Sequence, residues 1–190
     1  MFVNSTIRQT IHTSIGGCQI RLRISNAFGL YDLPVTAVTV ALPFNGSAGV
    51  SAIQPHTLQS LTFSGSSNYT IPNGALVVSD PINFCVEPQS NLAVTIYLEE
   101  GQLSNDITGH PGSRVTTWMT EGNYVSATNF TDPSVQSVLH WYFISALEVY
   151  VPREYVGFVI VGDSLTDGRE SDNNENDRHV SLLSAYLYFK

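Results

Sequence analysis

The chain has 190 residues and a mass of 20.8 kDa, enough for one domain with a real core, or for one domain and part of another. Only 13% of residues are charged and 43% are hydrophobic, which excludes disorder for most of the chain. The net charge of −8 sets 16 acids against seven Arg and the single Lys190, which argues against nucleic acid or an anionic membrane as a partner.

The first pattern along the chain is alternation. Ile7, Ile11, Thr13 and Ile15 alternate with Arg8, Thr10, His12 and Ser14. After Gly16-Gly17 the alternation resumes, with Cys18, Ile20, Leu22 and Ile24 against Gln19, Arg21, Arg23 and Ser25. A two-residue Gly-Gly loop predicts a hairpin that pairs Ile15 with Cys18 and Ile11 with Leu22. All apolar residues then share one face, and the other face pairs His12 with Arg21 and Thr10 with Arg23.

Asn26-Ala-Phe-Gly29 reads as a turn, and 35–42 as a strand apolar on both faces. Shorter strands are expected near 58–63, 67–71 and 75–79, set off by Pro55, Gly65, Pro72, Gly74 and Pro81. Leu92, Val94, Ile96 and Leu98 alternate again, residues 114–120 are β-branched, and 139–151 alternate with one interruption at Ser145. No helical period is present before residue 150. Short strands at this spacing predict a mainly β fold, a β-sandwich of jelly-roll type over residues 1–152.

The pattern changes at Pro152. Tyr155-Val-Gly-Phe-Val-Ile-Val161 is continuously apolar, as in a strand buried on both faces of a parallel sheet. Residues 167–178 are polar and read as a loop, and 180–188 could open a helix. Residues 153–190 are therefore expected to be the incomplete start of an α/β domain.

Two cysteines, Cys18 and Cys85, permit one disulfide, and two free thiols are the open alternative. No apolar run approaches the ~18 residues of a membrane span, and the N-terminus is not a signal peptide. Asn4, Asn45, Asn68 and Asn129 each begin an Asn-x-Ser/Thr triplet in an expected loop or strand end. With the scarcity of Lys, they point to a secreted glycoprotein whose leader is not in this chain.

Ser164 ends the apolar run, in Val161-Gly-Asp-Ser-Leu-Thr-Asp-Gly168. A Ser on a tight turn after a buried strand exposes its hydroxyl, and neighbouring N–H groups can form part of an oxyanion hole. Gly162 would give that turn room, and Asp163 precedes the Ser. The competing reading is a plain surface turn.

The run Val159-Ile-Val-Gly-Asp-Ser-Leu-Thr-Asp-Gly168 resembles block I of the GDSL, or SGNH, family of serine ester hydrolases. Thr6-Ile-Arg-Gln-Thr10, Ser14-Ile-Gly-Gly17, Arg21-Leu-Arg-Ile-Ser-Asn-Ala-Phe-Gly29, Val77-Val-Ser-Asp-Pro81 and His140-Trp-Tyr-Phe143 resemble the β-rich N-terminal domain of secreted, often fungal, members. The likeness covers about residues 4–178. It implies a β-sandwich before a flavodoxin-like α/β/α hydrolase domain, with Ser164 as nucleophile and its own N–H as one oxyanion donor. It implies an ester substrate, small acyl esters or acetylated glycan, and no metal or organic cofactor. The family also uses a Gly, the Asn of Gly-x-Asn-Asp, and an Asp-x-x-His pair. This chain contains neither motif, and Asp177-Arg-His179 has the wrong spacing. After Asn176-Asp-Arg178 the family continues with Trp-Pro, where this chain has His179-Val. The expectation is an esterase fragment with little activity of its own, since a Ser without its base is a weak nucleophile.

Two further features complete the reading. Asp172-Asn-Asn174-Glu-Asn176 is like the first half of a calcium loop, but lacks the Gly and Glu such a loop needs at Asp177 and Leu183. Trp118, Trp141 and the Tyr residues could stack sugars, so the rival function is a non-catalytic β module that binds carbohydrate or a partner protein.

Overall fold

The computed structural model describes residues 1–155, 157–178, 181 and 183, and the chain is mainly β. Six strands form one antiparallel sheet: β1 (Ser5–Thr13), β4 (Ala37–Ala41), β5 (Gln59–Ser60), β8 (Ser90–Leu98), β10 (Thr117–Glu121) and β11 (Gln136–Val138). Their order is β11-β10-β1-β8-β4-β5. A second antiparallel sheet has β2 (Ile20–Ser25) between β13 (Ile144–Val149) and β7 (Leu76–Val78). Two short pairs complete the described strands, β3 (Leu33–Val35) with β6 (Tyr69–Ile71), and β9 (Gly109–His110) with β12 (Trp141–Tyr142).

Both sheets feed one core. Ile7 and Ile11 of β1 lie opposite Ile96 and Leu92 of β8, and Val38 of β4 takes the far side of Ile96. Ile20, Leu22 and Ile24 of β2 belong to the same buried cluster. The period-2 pattern is what carries these residues to one side of each strand. Gln9 also faces inward, and its carboxamide behaves like a strand backbone. It donates from Nε2 to the Tyr142 carbonyl at 3.0 Å and accepts the Tyr142 N–H on Oε1 at 2.5 Å.

The predicted hairpin is not formed. β1 pairs with β8 and β10, while β2 pairs with β13 and β7. At Gly16-Gly17 the chain leaves one sheet and enters the other. The apolar faces of β1 and β2 still meet, but within one core cluster rather than side by side on a ladder. Ile15 is therefore not paired with Cys18, nor Ile11 with Leu22. The polar pairs fail too: Arg21 and Arg23 both bind Glu148 of β13, Arg23 at 2.8 Å. Thr10 instead accepts the Gly49 N–H at 2.7 Å. The crossover is tied down by a disulfide between Cys18 and Cys85, which decides between the two alternatives for the thiols. Gly17 and Val86 exchange backbone hydrogen bonds of 3.0 and 2.9 Å beside it.

The polar face of β1 is buried rather than solvated. Thr6, Arg8 and Thr10 are at most 1% exposed. Arg8 enters a socket made by the loops around 44–53 and 123–130. Its Nε donates to Thr95 Oγ1 at 2.8 Å, Nη1 to the Ser51 carbonyl at 2.6 Å and Nη2 to the Ala127 carbonyl at 2.8 Å. Phe130 lies under the guanidinium, 4.4 Å from ring centroid to Cζ. Burial lowers the Arg8 pKa to about 10, which leaves it charged at neutral pH.

The alternating stretch 139–151 is split between two ladders. Phe143 has φ 64°, donates its N–H to the Thr108 carbonyl at 3.1 Å and accepts the Ser25 N–H at 2.7 Å. Its backbone therefore passes the chain from the β9–β12 pair to β13. Before residue 150 the only helical elements are two short 3-10 turns, Phe44–Gly46 and Pro55–Thr57.

The expected buried strand over 155–161 is the second correction. Residues 157–161 form no strand, and Phe158, Val159 and Val161 are 70%, 83% and 91% exposed. A doubly buried strand needs neighbours on both edges and helices on both faces, and none of the described residues supplies them. Val156 lies outside the described residues, as does most of the helix expected over 180–188.

Candidate functional site

The turn around Ser164 is built by its neighbours. α1 (Ser164–Asp167) is a single helical turn capped by Asp163, whose Oδ1 accepts the Leu165 N–H at 3.0 Å. The Asp167 N–H closes on the Asp163 carbonyl at 3.0 Å, and Gly168 ends the turn at φ 96°. A Cβ on Gly162 would stand 2.1 Å from Thr166 Oγ1, so only glycine lets the turn fold back onto the end of the apolar run. Ser164 is exposed. Among the described residues, no hydrogen bond engages its N–H or its hydroxyl.

The loop that follows lies down on the β body. Asp167 Oδ2 meets His110 Nε2 of β9 at 2.9 Å, and Asp167 Oδ1 lies 4.0 Å from Arg178 Nη1. The Arg178 guanidinium sits over Trp141 of β12, with Cζ 5.1 Å from the ring centroid. His110 packs on the same indole at 5.8 Å between centroids. Burial lowers the Arg178 pKa against the opposing pull of Asp167 and Asp177.

Seven residues beyond Asp167, Asn174 makes a second attachment. Its N–H donates to the Arg114 carbonyl at 2.8 Å, its Oδ1 accepts the Thr116 N–H at 2.8 Å, and its Nδ2 donates to Thr116 Oγ1 at 3.0 Å. The amide rests on Gly49, where a Cβ would come within 2.0 Å of Asn174 Oδ1. Asn176 Nδ2 adds a bond to Asn91 Oδ1 at 3.0 Å. Asn174 of the calcium-like run thus turns its side chain into the β body.

Of the residues singled out in the sequence, Gly162, Asp163 and Ser164 stand together on this turn. His110 and Thr116 were not foreseen, and Trp141 and Asn174 were noted for other roles, sugar stacking and a calcium-like loop. Nothing in local pattern marks His110 or Thr116, since both are more than 50 residues from the groups they hold. The His110–Asp167 pair does not extend to Ser164: among the described residues, no hydrogen bond joins His110 to its hydroxyl. Among the described residues, no base touches this exposed hydroxyl.

Asn4, Asn45, Asn68 and Asn129 lie elsewhere, all exposed and all outside strands. Asn4 Oδ1 accepts from Tyr97 Oη at 2.9 Å, and Asn129 Oδ1 from Ser51 Oγ at 2.6 Å. A cleft of about 260 Å3 runs between the end of β1 and β13, lined among others by Ile11, His12, Ile15, Trp141, Ser145 and Leu147.

In comparison with known proteins, no family model matches the chain, and no curated protein matches it.

Proposed function

We propose that this chain is the N-terminal portion of a secreted GDSL/SGNH-type carboxylic ester hydrolase. The reaction is acyl transfer from an ester to the hydroxyl oxygen of Ser164, then from that acyl-enzyme to water. The observation that carries the reading is the run Val159-Ile-Val-Gly-Asp-Ser-Leu-Thr-Asp-Gly168, together with the upstream segments that resemble the same family. The exposed Ser164 hydroxyl, unengaged among the described residues and carried on a capped turn, is compatible with a nucleophile. The finer fold reading belongs to the same proposal: a jelly-roll-like β-sandwich over 1–152, and the start of a flavodoxin-like domain over 153–190. Secretion and glycosylation are proposed from the Cys18–Cys85 bridge and the four exposed sequons.

The chemistry also sets a limit. An acyl transfer needs a base to take the Ser proton and donors to hold the oxyanion. Neither Asp-x-x-His nor Gly-x-Asn-Asp is present in these 190 residues, and removing the base of a triad-type unit costs several orders of magnitude in rate. The expected result is no Ser164-dependent turnover of a small acetyl ester by the purified chain. Adding the missing blocks by fusion restores turnover, and Ser164→Ala abolishes it. Turnover by the fusion that survives Ser164→Ala would refute the assignment.

The second reading is a β module that binds acetylated glycan or a partner protein without catalysis. The cleft favours it, because Trp141 in its wall is an aromatic surface of the kind sugar rings stack against. Binding of an acetylated glycan, lost in Trp141→Ala with the fold intact, supports this reading. Equal binding by that variant removes the cleft from it.

A further inference from the structure

The segment from Asp163 to Arg178 could have stood free of the β body, as an acidic, polar loop would. Instead it touches the β body in two patches, one beside Trp141 and one over Gly49, where Asn176 also reaches Asn91. At one, Asp167 binds His110 at 2.9 Å while Arg178 covers Trp141. At the other, Asn174 makes three hydrogen bonds to Arg114 and Thr116 over Gly49. Asp167 is the last residue of the helical turn that begins with Ser164, and the Arg169 N–H is bonded to the Ser164 carbonyl at 2.7 Å. A displacement of Asp167 therefore displaces Ser164.

We infer that His110 is a positioning residue, which sets the place of the Ser164 turn by holding Asp167 against the β body. It acts through Asp167 and touches no reacting atom. The β body thus contributes to the site as a receptor for the turn, with Trp141 as the floor under His110 and Arg178. The Asn174 notch holds the middle of the segment while Arg178, at its far end, returns to Trp141 beside Asp167, so the attachments behave as one docked unit. This inference deepens the proposed function, because it takes Ser164 as the reacting residue. The docking itself does not depend on that role.

The test is amide hydrogen exchange on the full chain, followed at Asp167, Arg169 and Asn174. Their N–H groups are bonded to the Asp163, Ser164 and Arg114 carbonyls. His110→Ala and Asp167→Ala are each expected to speed exchange at all three about fivefold, the scale of a single net hydrogen bond. Amides of β1 and β8 keep their rates. His110→Gln restores slow exchange, because its side-chain N–H reaches the place of Nε2. The double variant exchanges no faster than either single one. Wild-type rates in His110→Ala overturn the inference. So does failure of His110→Gln to restore protection, which would assign His110 to packing on Trp141 alone, or faster exchange throughout the strands, which would assign it to general stability. Ser164→Ala leaves all these rates unchanged, so loss of the esterase reading and loss of the docking reading give different results.

Discussion

Replacing Cys18 and Cys85 together by Ser tests how the two sheets are held in register. The bridge joins residues 67 apart, and the closed loop contains β2 to β7. Cross-linking a loop of this length removes on the order of 15 cal/mol/K of chain entropy from the unfolded state, or about 4 kcal/mol at room temperature. In the folded state the neighbourhood is already fixed by other bonds. Gly17 and Val86 exchange two backbone hydrogen bonds, and Ile20 and Ile82 exchange two more at 3.1 and 3.0 Å. The loss should therefore come almost entirely from the unfolded chain. The double Ser variant should keep the wild-type far-ultraviolet dichroism and exchange pattern, with urea unfolding about 4 kcal/mol less favourable to the native state. At two to four degrees per kcal/mol for a chain of this size, Tm should fall by about 8–16 °C. A loss below about 1 kcal/mol would refute the loop-closure reasoning. A changed exchange pattern around Gly17 and Val86 would show instead that the bridge shapes the native state.

Other outcomes follow from the same contacts. Arg8→Ala strips the donors from the Ser51 and Ala127 carbonyls and from Thr95 Oγ1, and empties a socket that is 0% exposed. It should cost about 3 kcal/mol in urea unfolding, and a cost under about 0.5 would sink this account. Stability should fall in acid. Arg23 and Arg21 hold the Glu148 carboxyl below its usual range, bonds from Thr62, Gly65 and Ser64 do so for Asp80, and Ser134 and Tyr124 for Asp132. Each folded pKa lies below its unfolded value, so the contribution is complete above the unfolded value and disappears as pH falls through the folded one. Tm should decline below about pH 4. Glu148→Gln should flatten that part of the profile, and an unchanged slope would exclude the Arg21–Glu148–Arg23 cluster as a source. Expression through a secretory host should add glycan at Asn4, Asn45, Asn68 and Asn129. A mass that does not change on enzymatic deglycosylation would count against secretion as the native route.

What could be read from sequence was local. The alternation of Leu92, Val94, Ile96 and Leu98 became β8, and all four are buried. The turn at Asn26 formed as expected, with its amide donating to the Tyr31 carbonyl at 2.8 Å. The apolar run ending in Gly162-Asp163-Ser164 marked the candidate turn, because capping and close approach at a glycine are properties of neighbouring residues. The partner of each strand was not local. A period-2 pattern says which side of β1 faces the core, but not whether β2 lies beside it or in another sheet, since both arrangements bury Ile7, Ile11, Leu22 and Ile24. The long connections back from β8, β10 and β13 decided that, through contacts separated by 77 residues or more.

The same division explains the other corrections. Arg8 stands on the polar side of the alternation, which says nothing of its burial. Only the loops carrying Ser51, Ala127 and Phe130 turn that position into an interior socket. The run over 157–161 reads as a buried strand because its residues are apolar, yet burial is conferred by neighbours, and Val159 and Val161 have none among the described residues. By itself the sequence determined strand content, the faces of the strands, and the turn that carries Ser164, since these depend on spacing along the chain. Sheet membership, the Arg8 socket and the seating of Asp167 on His110 were decided by the tertiary structure alone, because each depends on which distant residues the folded chain brings together.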